Sequence, residues 1–134
     1  MDVLVDTTIW SAALRRDTRT RNGAVDELQA LIVQGRARIM GPIRQELLSG
    51  IRSERQFDEV GRYLAPFPDL ILNSDDFITA ASYFNKCRAH GVQGSGVDYL
   101  ICSVAHRNGL SIFTTDKDFE RFAKHLPIIL HATG

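Results

Sequence analysis

The 134-residue sequence predicts an α/β fold of three layers, with a short, mostly parallel sheet of four or five strands between helices. Two observations predict it. Short, mostly apolar runs alternate with segments whose apolar residues recur every three or four positions. The runs are uniformly apolar rather than alternating, as in strands covered on both faces, which is the habit of parallel sheets. No repeat, low-complexity tract or linker-like stretch divides the chain, so residues 1–134 read as one domain.

Val3–Leu4–Val5 is the first strand, and Ile9, Trp10, Ala13 and Leu14 form the apolar face of a helix that Thr7 or Thr8 is placed to cap. Residues 15–23 are polar, a loop or an extension of that helix. Val25, Leu28, Leu31 and Ile32 line a second helix stopping at Gly35, where glycine suits the helix exit. Arg38–Ile39–Met40 is a strand, and Pro42 suits the first turn of the helix carrying Ile43, Leu47, Leu48 and Ile51. Another helix, from about Glu54 to Leu64, ends before Pro66. Leu70–Ile71–Leu72 is the next strand, followed by the cap-rich Asn73-Ser74-Asp75. Phe77, Ala80, Ala81, Phe84 and Cys87 then share one face of a helix ending near Gly91. Gly94-Ser95-Gly96 leads into a helix from Asp98 through Arg107. Ile112–Phe113 is a strand, 116–124 a short helix, and Ile128–Leu130 the last strand candidate.

Sixteen basic residues balance sixteen acidic ones, which excludes binding of nucleic acid through bulk positive charge but leaves room for a local patch. Cys87 and Cys102 follow no metal-ligand spacing and fall among apolar residues, as buried free thiols do in a reducing compartment. No signal peptide or membrane-length apolar stretch is present, and the expected location is the cytoplasm.

The chemistry is carried by acids. In open parallel sheets, ligands bind beyond the carboxyl ends of the strands. Asp6 follows the first strand directly. Asp116 follows Ile112–Phe113 after two threonines, with Asp118 two residues on. Glu46 lies one turn into the helix after the second strand, and Asp98 opens a helix. Each has an ordinary explanation: Asp is a preferred N-cap contributing about 1 kcal/mol, Asp118 would favour a helix dipole, and Glu46 would face solvent near Arg44 or Arg52. Projected at about 100° per residue, however, Asp98 falls between Cys102 and Ala105 on the apolar side. Glu46 falls at the margin of its apolar stripe. A carboxylate turned inward must be paired, protonated or coordinated. All-oxygen carboxylate sites favour Mg²⁺ or Mn²⁺, which serve phosphoryl chemistry by activating water. No GxxxxGK[ST] loop, HExxH pair or GxSxG elbow occurs, which disfavours P-loop, zinc and acyl-transfer chemistry.

VDTTIW with Asp6, QELLSG with Glu46, VDYLICSVAHRNG with Asp98, and TTDKDF with Asp116 and Asp118 together resemble the PIN-domain ribonucleases. In its small size the chain resembles the VapC toxins of bacterial toxin–antitoxin modules. The match runs from residue 2 to about 119 with its motifs in family order; Cys102 stands where an alanine-like residue is more usual. The resemblance implies a PIN-like fold, with the acids at one sheet edge around Mg²⁺ or Mn²⁺. It also implies endonucleolytic cleavage of RNA, homodimerisation, and inhibition by a cognate VapB-type antitoxin. By position, Asp6, Glu46, Asp98 and Asp116 would be the catalytic set. Asp6, Asp98 and Asp116 would hold metal, with Asp118 as the alternative last acid and Thr115 a candidate for metal-linked water.

Thirteen of the sixteen basic residues are Arg, the better bidentate phosphate ligand. Arg15, Arg16, Arg19 and Arg21 gather after the first helix as a candidate RNA clamp; a solvated surface loop would look the same. Trp10 and Tyr99 are candidates to stack bases, although helical spacing assigns Trp10 to the core. No histidine is required by this chemistry. Two other readings stay open: another Mg²⁺-dependent phosphohydrolase, and a PIN-like RNA-binding module without turnover. Against the first, Thr8 stands where a DxDxT motif needs its second acid.

Overall fold

The computed structural model describes residues 1–15 and 23–132. Its sheet has four strands, all parallel, in the order β3-β2-β1-β4: β1 Val3–Val5, β2 Ala37–Met40, β3 Asp69–Leu70 and β4 Ser111–Phe113. Neighbouring residues of a strand point to opposite faces. Val3, Leu4 and Val5 are all fully buried, so helices cover β1 on both sides. This is why the run is continuously apolar. The helices are α1 Thr7–Leu14, α2 Gly23–Val33, α3 Gly41–Leu48, α4 Glu54–Leu64, α5 Ser74–Ala89, α6 Gly96–Arg107 and α7 Asp118–Ala123.

The chain runs outward from β1 through β2 to β3, then returns to place β4 on the other side of β1. The β1–β4 boundary is therefore the point where strand order reverses, and open α/β sheets form their ligand crevice there. Asp6 and the Thr114-Thr115-Asp116 segment leave the sheet at that boundary.

Three expected elements are shorter than the apolar runs suggest. β3 ends at Leu70, leaving Ile71 90% exposed. β2 stops at Met40, where Gly41-Pro42 starts α3, so Ile71 has no strand beside it. The run Ile128–Leu130 contributes one parallel bridge, Leu130 to Ile112, rather than a strand. Helix α7 begins at Asp118 instead of Asp116, because residues 116–117 are used in a turn.

The core is set by Trp10, Tyr99, Phe113, Phe119 and Phe122 with the aliphatic residues around them. Trp10 donates its indole N–H to the Val5 carbonyl at 3.1 Å. Tyr99 is 1% exposed, so both proposed base-stacking rings serve as core instead. Both cysteines are buried and free. Arg44 does not reach Glu46: it pairs with Asp69 at 3.1 Å and donates to the Leu64 and Phe67 carbonyls, tying α3 to the turn before β3. Among the described residues, no helix is long and apolar enough to cross a membrane.

Candidate active site

A cleft of about 400 Å³ opens at the β1–β4 boundary, and Asp6, Glu46, Asp98 and Asp116 all line it. Each arrives by a different local device. Asp6 occupies the N-cap position of α1, where its carbonyl accepts from the Ile9 and Trp10 N–H groups. Its side chain makes no capping bond. Instead Oδ2 accepts from the Thr8 hydroxyl at 3.1 Å and the Thr114 hydroxyl at 2.7 Å. Asp6 is 5% exposed, and those two neutral donors hold it at the floor of the cleft.

Asp98 is the third residue of α6. Ser95 is the N-cap, its hydroxyl accepting from the Asp98 N–H at 3.1 Å while Asp98 Oδ2 accepts from the Ser95 N–H at 2.9 Å. Asp98 thus takes part in capping, but as the third residue in the first turn, with Ser95 in the N-cap position expected for it. Capping does not exhaust the residue. Burial raises the Asp98 carboxyl above its ordinary value; bonds to Ser95 partly oppose this, and the negative charges of Asp116 and Asp6 add to it.

Asp116 sits on the β4–α7 turn, its N–H donating to the Thr114 hydroxyl at 2.9 Å and its Oδ1 accepting from the Asp118 N–H at 2.9 Å. Thr114 therefore bonds both Asp6 and Asp116, and joins the ends of β1 and β4. Thr115 lines the cleft and donates its N–H to Thr8. Glu46 is exposed on α3, and its Oε2 accepts from the Thr7 hydroxyl at 3.2 Å. Asp118 lies outside the cleft lining; its carboxylate pairs with Arg121 at 3.4 Å.

Arg15 is exposed at the cleft rim, whereas Arg16, Arg19 and Arg21 lie outside the described residues. None of the four histidines lines the cleft. His131 meets Glu27 at 3.0 Å, and His90 stacks on His125. Thr114 and the Ser95 cap are the contributors that sequence reasoning passed over. A hydroxyl-rich TTD directly after a buried strand was the available signal for Thr114.

The donor set is all hard oxygen. Among the described residues, none of the four lining carboxylates is in an ion pair. No three Asp, Glu, His or Cys side chains there converge tightly enough to hold an ion as they stand. Asp6 and Asp116 both act to raise Asp98, as like charges sharing a cleft do. The chemistry of the set, all carboxylate oxygen from the half-buried Asp98 and Asp116, the buried Asp6 and the exposed Glu46, fits a hard divalent cation.

Comparison with known proteins bears on the family and the fold. The PIN domain family matches residues 3–125. VapC ribonuclease Mb1587 of Mycobacterium bovis is 30% identical over 126 residues, 91% of this chain and 92% of that protein. In fold, the chain is similar to FitAcB from Neisseria gonorrhoeae, with TM-score 0.77, 18% identity and coverage of 98% and 97% of the two chains. It is equally similar to DNA-bound VapBC from Salmonella typhimurium, with TM-score 0.77, 15% identity and coverage of 100% and 99%.

Proposed function

Because this chain belongs to the PIN domain family, we propose that it is a divalent-metal-dependent endoribonuclease, the toxin of a toxin–antitoxin pair. The observation that carries the reading is the set of carboxylates from separate segments, Asp6, Asp98 and Asp116, lining one cleft without a cationic partner among the described residues. The ribonuclease named among its relatives supports the substrate class.

In this reading Asp6, Asp98 and Asp116 hold Mg²⁺ or Mn²⁺, and Thr8 and Thr114 keep Asp6 Oδ2 aimed into the cleft. The cation, when bound, lowers the pKa of water and offsets the charge that builds on a phosphodiester. Glu46, steadied by Thr7, orients the attacking water in line with the bond to be broken. Asp118 acts on Asp116 through its backbone N–H rather than as a ligand of first choice. Arg15 meets a phosphate at the rim. The water oxygen bonds to phosphorus as it gives up a proton, and the bond to the leaving oxygen breaks as that oxygen takes up a proton from solvent.

We extend the reading to a single PIN domain that acts as a cytoplasmic homodimer, and to a VapB-type antitoxin that restrains it, the last suggested by the VapBC assembly among its structural neighbours. End-mapping of an RNA pool treated with the protein in Mg²⁺, Mn²⁺ or EDTA, beside Asp98→Asn, tests the activity. Discrete metal-dependent cuts lost in the variant are expected. RNA that is bound but left intact in every condition would replace the nuclease with a non-catalytic binding module.

A further inference from the structure

The cleft is acidic and its substrate in this reading is a polyanion, with Arg15 the one described basic residue in the lining, so further cations beyond the cleft would help hold the strand. Many described cations already have carboxylate partners: Arg38 with Asp2, Arg44 with Asp69, Arg55 with Glu59, and Arg107 with Asp75 and Asp76. A second group gathers without such partners. His90 follows α5 and His125 follows α7, and their rings stack face to face, with centroids 4.2 Å apart and 12° between planes. Lys86 lies one turn before His90 on α5, and Lys124 directly precedes His125. Both lysines are exposed, and among the described residues neither is in an ion pair.

Four protonatable nitrogen groups from two helices thus share one patch of surface. Desolvation of the His125 ring holds it below its ordinary value, and His90, Lys86 and Lys124 add to that lowering. The ring therefore gives up its proton more readily here, and an anion docked against the two lysines would favour its return.

The patch is also connected to the cleft. Lys117, Arg121 and Lys124 follow one another at spacings of four and three, so they share a face of the α7 segment. All three are exposed. Lys117 adjoins Asp116 of the cleft, and Lys124 lies about 10 Å further along at 1.5 Å per residue. A strand leaving the cleft along α7 would pass Lys117 and then Arg121, whose guanidinium is shared with Asp118 at 3.4 Å, and arrive at the stacked histidines.

We infer that Lys86, His90, Lys124 and His125 form a phosphate-binding patch that holds the RNA strand beyond the cleft, reached along Lys117 and Arg121. The inference rests on the ribonuclease reading and adds the path of its substrate. Two variants test it, Lys86→Gln/Lys124→Gln and His90→Gln/His125→Gln, with unchanged circular dichroism as the control for folding. Binding of a fluorescent single-stranded RNA pool is measured in EDTA across a salt series, and cleavage of the same pool is measured in Mn²⁺. The lysine pair should weaken binding about tenfold and reduce the salt slope by about 1.4, two phosphates at about 0.7 each. The histidine pair should weaken binding by a smaller factor at neutral pH, and both should raise KM while sparing kcat. Wild-type affinity and slope in both variants, from protein that still cuts RNA, would overturn this patch alone. Wild-type protein that neither binds nor cuts RNA would overturn the ribonuclease reading with it. Loss of binding to polyglutamate with RNA binding intact would reassign the patch to an acidic protein segment.

Discussion

Helices α5 and α6 begin with the same device and use it for opposite ends. In α5 the Asn73 side chain accepts from the Asp76 N–H, and Asp76 Oδ2 accepts from the Asn73 N–H at 2.9 Å. In α6, Ser95 and Asp98 repeat the pattern at the same 2.9 Å. Asp76 is 3% exposed, and its other oxygen receives Arg107 Nε from the end of α6 at 2.9 Å. The Asp76 carbonyl also accepts from the Ser103 hydroxyl, so the start of α5 is fastened to α6 along its length. Asp98 has no described cation beside it and lies in the field of two other carboxylates. A neutralised buried carboxylate is a fastening. One left among like charges in a cleft is a candidate for function, a distinction that burial alone does not draw.

Asp98→Asn should produce the largest effect on the functional side. The amide oxygen can still accept from Ser95, so the cap survives while the charge is lost. RNA cleavage, followed as initial rate in Mn²⁺, should fall about 10³- to 10⁴-fold, or about 4 to 5.5 kcal/mol in the barrier. Cleavage near the wild-type rate would erase the distinction between the two helix starts.

Asp76→Ala should do the reverse. It removes a cap and the principal partner of a partly exposed Arg107, and urea denaturation should show a loss of about 2 to 3 kcal/mol. The protein that remains folded should cut RNA normally. A negligible loss of stability would mean that Asp76 fastens nothing.

Metal should separate the two sites again. Excess Mg²⁺ or Mn²⁺ should stabilise the wild-type fold by about 2.7 kcal/mol at a hundred times its Kd, and Asp76→Ala by the same increment. Asp98→Asn should gain much less, as read from thermal melts with and without EDTA.

Gly94→Ala sharpens the comparison locally. A Cβ there would lie 2.5 Å from Phe122 Cζ and 3.1 Å from Tyr99 Cε2, so the loop carrying Ser95 must shift. Overpacking of this kind costs about 1 to 3 kcal/mol. Cleavage should decline with it as the Ser95–Asp98 pair moves, whereas the start of α5 should be indifferent.

The smallest effect is on pH. Asp98 binds its proton more tightly in the folded chain than in the unfolded one, so ionising it costs stability. That cost is absent below the ordinary carboxylate range, grows as pH rises through the raised Asp98 value, and then levels. In EDTA, the stability of Asp98→Asn relative to wild type should follow that course in denaturation curves taken across acidic to neutral pH. A gap independent of pH would remove the electrostatic part of the argument.

Much of this was legible in the residues. VLV with acids on either side could only be a covered strand, and SIF followed by TTD repeated the arrangement. The inward projection of Asp98 was visible from its spacing to Cys102 and Ala105. Other features were not legible, because they depend on which segments become neighbours. LIL reads as a strand, yet only Leu70 of the three is paired, since β2 turns into α3 at Gly41. Phe77 and Phe84 share a helical face with Ala80 and Cys87, but remain 53% and 37% exposed because α6 covers only part of that face. Asp116 and Asp118 are interchangeable by spacing, and the turn at 116–117 turned one into the cleft and the other toward Arg121.

Local interactions set what the sequence by itself determined: helix starts, apolar periodicity, and acids placed just after strands. Those depend on neighbours within a few residues. The tertiary structure alone decided which acids share a cleft and which meet a cation. Strand order puts β1 beside β4, and Thr114 there bonds both Asp6 and Asp116. Asp76 found Arg107 from 31 residues away, and Asp98 found only other carboxylates. Coulomb interactions act through space rather than along the chain, so two capping boxes of the same pattern acquired different charges around them.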